Sequence, residues 1–336
     1  MKAIVCDAPS FLAVRERPKP QRGEGEVLVR INRVGLCGTD FHTFDGNQPF
    51  LSYPIVMGHE LAGEVAEVGP ESQLPLGALV TINPYRACGG CIACRKGKPN
   101  CCVNIQVLGV HTDGGMTEYL CVPEHMIIRA DGLTPDQAAM VEFLSIGAHA
   151  VRRAAVVPGE RVLVVGGGPI GIAAALFARF AGADVSLIDT QDERVAYVSQ
   201  RLGFERTAVA GPEVAQWLAA QTDGEFYDIV FDATGSARAI EAGFGYVAHG
   251  GKYVLISVVK GGVTFEDPEF HKREMQLIGS RNATNEDFQK VIDYLRTGRI
   301  PAEALLTHRF PLIDAPQAMS GFKADRARVL KAVGYF

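Results

Sequence analysis

The chain has no cysteine beyond Cys121, no clean apolar run of membrane-spanning length and no excess of basic residues. Its longest uncharged apolar stretch, 162–178, is interrupted by Gly166, Gly167, Gly168 and Pro169, whereas a membrane helix needs about 20 apolar residues and rarely carries such a break. No membrane association is expected. Acidic residues number 38 against 33 basic ones, a formal net charge of -5. A mildly acidic surface repels polyanions, so nucleic acid is not an expected partner and small molecules are. The opening M-K-A-I-V-C-D meets an acid at Asp7 and lacks the apolar core of an export signal; a cytoplasmic location is expected. Internal repeats and low-complexity tracts are also missing, which excludes solenoids and fibres. With 47% hydrophobic and 21% charged residues, the 336-residue chain reads as globular, long enough for two domains.

The cysteines that are present lie close together, five of them between positions 88 and 102. Clustered thiols in a reducing compartment point to metal rather than to disulfides. Cys88, Cys91, Cys94 and Cys102 follow C-x2-C-x2-C-x7-C, and four thiolates from one loop suit a closed tetrahedral zinc site with a structural role. Cys101 is an alternative fourth ligand. Arg86, Arg95, Lys96 and Lys98 surround this loop, so a non-enzymatic zinc ribbon that binds nucleic acid is the competing reading, but it requires a basic stripe.

Two regimes follow along the chain. The first third reads as short strands and turns: residues 26–34, where Val27, Val29 and Ile31 share one face, then 61–68 and 78–82, with a long loop over 84–105. After Pro158 and Gly159, apolar strands at 161–165, 184–189, 229–232, 253–257 and 276–279 alternate with helical stretches. That alternation predicts an α/β unit with a doubly wound parallel sheet. Phe288, Val291, Ile292 and Leu295 then mark one face of a helix stopped by Gly298. The tail, 328–333, can return as a strand to the first unit. The expected division is a β-rich domain from 1–148 and 286–336, with the α/β domain, 149–285, inserted.

The strand at 161–165 runs into Gly166-Gly167-Gly168-Pro169-Ile170-Gly171 and a helix over 172–180. Gly166, Gly168 and Gly171 fit G-x-G-x-x-G, a tight turn, an approach for pyrophosphate and a close helix–strand contact. The helix N-terminus, opened by Pro169 and Ile170, offers free N–H groups to phosphate. The next strand ends at Asp189, whose carboxylate suits the adenosine ribose hydroxyls and repels a 2′-phosphate, so NAD is expected over NADP. Arg194, five residues on, is the feature that favours the phosphate.

Elsewhere, Gly35-Leu36-Cys37-Gly38-Thr39-Asp40-Phe41-His42 follows the strand at 26–34, and Gly58-His59-Glu60 comes later. A catalytic zinc takes three protein ligands and an exchangeable position. Cys37 and His59 suit two of those places, and Glu60 or another carboxylate the third.

In this order, G-L-C-G-T-D-x-H, G-H-E, the four-cysteine loop and G-G-G-P-I-G resemble the zinc-containing medium-chain alcohol/polyol dehydrogenases along essentially the whole chain. The resemblance implies a GroES-like catalytic domain and a Rossmann domain. It implies that Cys37 and His59 hold a catalytic zinc and the cysteine quartet a structural one, and that Thr39 and His42 relay the proton or meet the nicotinamide ribose. Asp40 is expected to be structural. Ethanol-type relatives supply a second cysteine before the Rossmann domain; here M-V-E-F-L-S at 140–145 resembles the polyol stretch in which a glutamate, Glu142, takes that place. Many polyol relatives carry proline after it, where this chain has Phe143. Glu60 and Glu142 are both candidate ligands, directly or through water. The segments 109–115 and 280–285 resemble the bacterial branch of L-galactonate and L-gulonate 5-dehydrogenases. That implies oxidation of a secondary alcohol of a sugar acid or polyol to a ketone, with sorbitol or L-threonine as the alternatives. Arg281 suits a sugar-acid carboxylate or a helix-start contact, and His111 is a site or a loop histidine. Relatives of this kind are dimers or tetramers, so a homo-oligomer is expected.

Overall fold

The computed structural model describes residues 1–48 and 51–336, which fall into two compact units, Met1–Phe143 with Ala283–Phe336, and Leu144–Asn282. Among the described residues no helix is long and apolar enough to cross a membrane.

The first unit is built mostly on antiparallel strands, with Leu306–Pro311 and Lys331–Tyr335 paired in parallel. Among its described residues, seven strands form the main sheet, with Ile127–Arg129, Leu79–Ile82, Glu60–Glu67, Glu26–Gly35, Lys331–Tyr335 and Leu306–Pro311 in that order and Tyr119–Pro123 also paired to Glu26–Gly35. Glu26–Gly35 is central because its alternation of Val27, Val29 and Ile31 fills the core while the strand bonds neighbours on both edges. The chain end returns here: Val333 pairs with Gly35 and Tyr335 with Arg33. This register brings two loops together, the one after Gly35 that carries Cys37 and the one before Glu60 that carries His59, because Gly35 lies opposite Glu60. The helix Asn285–Arg296 buries Phe288, Val291, Ile292 and Leu295, the stripe read from the sequence.

Six parallel strands among the described residues make the sheet of the second unit. Their order is Arg206–Val209, Asp184–Asp189, Arg161–Val165, Tyr227–Asp232, Val247–Leu255 and Gln276–Gly279. The order reverses beside Arg161–Val165, the switch point at which open α/β sheets receive ligands. Gly166 has φ of 102°, a conformation open to glycine, and the helix Pro169–Phe180 starts directly after the turn with Gly168 as its N-cap. Helix and sheet meet closely at Gly171, where an added Cβ would run into the Gly166 carbonyl. Two strands depart from the sequence reading. Arg206–Val209 is a half-exposed edge strand with no apolar run, and Val247–Leu255 begins six residues before the expected 253 because Gly250 and Gly251 interrupt its pattern.

Candidate active site

Cys37 caps the short helix Gly38–Phe44 and is half-buried, while His59, Glu60 and Glu142 are almost wholly buried. Asp40 ties the two loops together: one carboxylate oxygen accepts the Cys37 N–H at 2.9 Å and the other the Gly58 N–H at 3.2 Å. The carboxylate therefore fixes the backbone beside both Cys37 and His59, the structural role expected of it. Thr39 is half-buried and His42 exposed on the same helix.

The buried His59 imidazole feels the charge of Cys37, and its Nδ1 has no partner. Burial disfavours its protonated form, but Cys37, Asp40 and Glu142 outweigh that and raise its pKa well above the ordinary histidine range. A negative potential focused on a buried imidazole, with one ring nitrogen orphaned, fits a divalent cation held by cysteine and histidine. The carboxylates differ in their tethers. Glu142, in the first turn of the helix Val141–Ala154, accepts a hydrogen bond from the buried Tyr85 hydroxyl. Burial and the charge of Glu142 push that phenol well above its usual range. Glu60 instead meets the Lys331 ammonium at 2.6 and 2.7 Å. Burial still pushes the Glu60 carboxyl up to about 7, against the pull of Lys331. Tyr85 and Lys331 escaped the sequence reading. A lone lysine within the apolar strand Lys331–Tyr335 was the available signal for the second.

The four thiols of Cys88, Cys91, Cys94 and Cys102 lie within 4.8 Å of one another. Among the described residues this is the group that brings three or more potential ligand atoms so close; the Cys37 and His59 cluster is not drawn together in that way. Cys101 is exposed and outside the four. The Cys88 N–H donates to Cys102 Sγ at 3.2 Å and the Val103 N–H to Cys91 Sγ at 3.5 Å. N–H groups of Cys94 and Val103 hold the Cys91 thiol down to about 6, whereas burial and the neighbouring thiols push Cys94 up to about 11.

In the second unit, Asp189 Oδ2 accepts the Gly167 N–H at 2.6 Å and Oδ1 the Gln191 N–H at 2.9 Å. The acid is thereby fixed at the glycine turn, and each oxygen keeps lone pairs for a ribose hydroxyl. Arg194 is buried against the same turn, where burial lowers its pKa and the charge of Asp189 opposes the shift. A Cβ on Gly167 would meet the Arg194 stem at 3.0 Å and Asp189 Oδ2 at 3.4 Å. Arg281 is exposed after the strand Gln276–Gly279. The helix start nearby is capped by Thr284 with Asp287, and His111 Nδ1 accepts the Val107 N–H of its own loop at 3.1 Å.

Comparison with known proteins identifies both units. The alcohol dehydrogenase GroES-like domain matches residues 23–132 and the zinc-binding dehydrogenase domain residues 169–297. L-galactonate-5-dehydrogenase of Escherichia coli K12 is 43% identical over 334 residues, which span 99% of this chain and 98% of that protein. L-threonine 3-dehydrogenase of Bacillus velezensis is 32% identical, over 94% of this chain and 93% of its own. Among solved structures, rspB of Escherichia coli CFT073, described as a short chain alcohol dehydrogenase and complexed with NADH, superimposes with a TM-score of 0.94. It is 29% identical and covers 100% of this chain and 99% of its own. A GroES-like unit, a nucleotide-binding Rossmann unit and a four-cysteine cluster that could hold a metal ion thus occur together, and the chain belongs to the zinc-binding alcohol dehydrogenase family.

Proposed function

We propose that the protein oxidises a secondary alcohol of a sugar acid, of the L-galactonate or L-gulonate type, to a ketone with NAD as the acceptor. The observation that carries the chemistry is the buried His59, its Nδ1 without a partner, under the charges of Cys37, Asp40, Glu142 and Glu60. The substrate class rests on the likeness to L-galactonate-5-dehydrogenase along almost the whole chain. Cys37 and His59 would hold a catalytic zinc with Glu142 or Glu60, and Cys88, Cys91, Cys94 and Cys102 a structural one. When bound, the catalytic zinc polarises the substrate hydroxyl and the nicotinamide accepts the hydride.

The chain's own residues do the rest. Asp40 fixes the backbone of both ligand loops, which sets where the hydroxyl can sit. The hydroxyl proton would leave by a relay in which Thr39 Oγ1 accepts it while passing its own on through the ribose hydroxyls to the exposed His42, or by a water held on Glu142. The N–H groups of the helix that starts at Pro169 orient the pyrophosphate. Asp189 accepts from the adenosine ribose and favours NAD over NADP, while Arg194 packs beside it. Arg281 supplies a guanidinium for the sugar-acid carboxylate. The likeness to L-threonine 3-dehydrogenase supports amino-alcohol oxidation through the same groups as a second reading. The clustered thiols suit a reducing cytoplasm, and the functional particle is a dimer or tetramer.

Cys37→Ala tests the reading. Zinc content should fall by one equivalent per chain and turnover by more than about a thousandfold, on the scale of losing an electrostatic stabiliser, with the circular dichroism unchanged. Full activity in this variant would remove Cys37 from the site.

A further inference from the structure

Asp232 ends the strand Tyr227–Asp232 and is fully buried. A buried carboxylate is costly unless it is paired or amply hydrogen-bonded. Here both donors come from one neighbour, Thr234. Its N–H lies 3.0 Å from Oδ1, and its hydroxyl 2.9 Å from Oδ1 and 3.2 Å from Oδ2. Thr234 Oγ1 accepts the Ser236 N–H at 3.1 Å and gives its one proton to the acid, the bonding pattern of an ionised carboxylate. Among the described residues no cation pairs with Asp232, and burial pushes its carboxyl above the ordinary value against the pull of Thr234. Nor does it cap the helix Ala237–Gly243, whose Ala239 N–H goes to Ser236 Oγ at 3.4 Å. The charge is left uncompensated inside the second unit.

The sheet decides where this charge stands. Val165, the last residue before the glycine turn, pairs with Ile188 on one side and with Asp232 on the other. Ala233 and Thr234 pack against the turn itself, since a Cβ on Gly166 would meet the Ala233 carbonyl and Thr234 Cγ2, each at 3.2 Å. A dinucleotide with its adenosine at Asp189 and its pyrophosphate at the glycine turn carries the nicotinamide to the other side of the switch point, the side on which Asp232 lies. We infer that the buried Asp232 carboxylate biases this cleft toward the oxidised cofactor, because the nicotinamide ring is cationic in NAD+ and neutral in NADH. This rests on the reading that the second unit binds NAD. Asp232 acts on the cofactor by its charge, without touching it, and tilts the bound couple toward the form that alcohol oxidation consumes.

The test measures the dissociation constants of NAD+ and NADH, by calorimetry and by NADH fluorescence, for the whole chain as wild type, Asp232→Asn, Asp232→Ser and Asp232→Glu. Asparagine keeps the size of the side chain and an acceptor for the Thr234 N–H but not the charge. Asp232→Asn should weaken NAD+ relative to NADH by about 5–30-fold, the scale of one charge at an effective dielectric of about 20, with NADH held within about twofold. Asp232→Glu keeps the charge and should keep the ratio of the two constants. Should Asp232→Asn fail to fold, Asp232→Ser is the neutral variant that decides, by the same ratio. Equal weakening of both forms in the neutral variant is the mark of a purely structural role and would overturn the inference, as would binding that does not change. A ratio that moves as far in Asp232→Glu as in the neutral variant would overturn it too. A wild type that binds neither form overturns the inference together with the cofactor reading, and the lack of any binding sets that result apart from the others.

Discussion

Replacing Gly171 by alanine would place a Cβ against the Gly166 carbonyl, 3.0 Å from the Gly166 carbonyl carbon and 3.3 Å from Val164 Cγ1. Carbon atoms in good contact stand about 3.5–4.0 Å apart, and the Gly166 carbonyl oxygen lies nearer still, so the start of the helix Pro169–Phe180 must retreat from the sheet by more than about 1 Å. The neighbours cannot give way cheaply, since Gly166 is backbone at φ of 102° and residues Gly171–Ala178 of the helix are buried. Overpacking of this kind costs about 1–3 kcal/mol, which for a unit of this size lowers the melting temperature by roughly 4–10 °C. The helix N-terminus moves with the retreat, so the dissociation constant for NADH should rise at least about tenfold. Gly168→Ala is the control. Its Cβ would meet nothing within 4 Å and its φ is -72°, so melting should be unchanged while NADH binding weakens, because the new methyl occupies the approach to the pyrophosphate. Calorimetry and NADH fluorescence titration measure both effects. A Gly171→Ala protein that melts within about 1 °C of wild type and binds NADH within about twofold would refute the packing argument.

Three further outcomes are expected. Asp189→Ser removes the acceptor at the glycine turn, and with Arg194 adjacent the ratio of kcat/KM for NADP to that for NAD should rise by about 10–1000-fold; an unchanged ratio in steady-state kinetics would remove Asp189 from cofactor choice. Cys94→Ser breaks the quartet, so metal content should fall by one equivalent and the melting temperature should drop; undiminished metal content by mass spectrometry would exclude the cluster as a site. Asp136 accepts from Arg33 at 2.6 Å and Arg309 at 2.7 Å, and although burial opposes it these partners hold its carboxyl below the usual range. A depressed acid stabilises the fold above its unfolded pKa of about 3.9 and loses that contribution as pH falls through the folded value. Asp136→Asn should therefore cost about 1–2 kcal/mol near neutral pH, after solvent screening, and close to nothing in strong acid. Urea unfolding across that range checks it, and a pH-independent difference would contradict it.

What the sequence made legible was local. The turn at Gly166 to Gly171 stands between an apolar strand and a helix, so neighbours in the chain carry its meaning, and Arg161–Val165 and Asp184–Asp189 appear where the apolar runs lie. Arg206–Val209 was illegible because an edge strand pairs on one side only and needs no apolar run. In Val247–Leu255, Gly251 interrupts the apolar pattern for a packing reason: a Cβ there would meet Val247 Cγ1 at 2.8 Å and Asp228 O at 2.9 Å. The pairing of Lys331 with Glu60 spans 271 positions and that of Tyr85 with Glu142 spans 57. Contacts of that separation follow from how strands are ordered in a sheet, which a single sequence does not encode as a motif. Two carboxylates that looked equivalent as residue types therefore acquire different partners only through the fold.

The most direct measurement of the central claim is NADH formation by the zinc-replete protein with L-galactonate, L-gulonate, sorbitol and L-threonine. Turnover should be greatest with a sugar acid and abolished in Cys37→Ala. Preference for sorbitol or L-threonine would contradict the substrate assignment, and no NADH from any secondary alcohol would contradict the dehydrogenase chemistry itself.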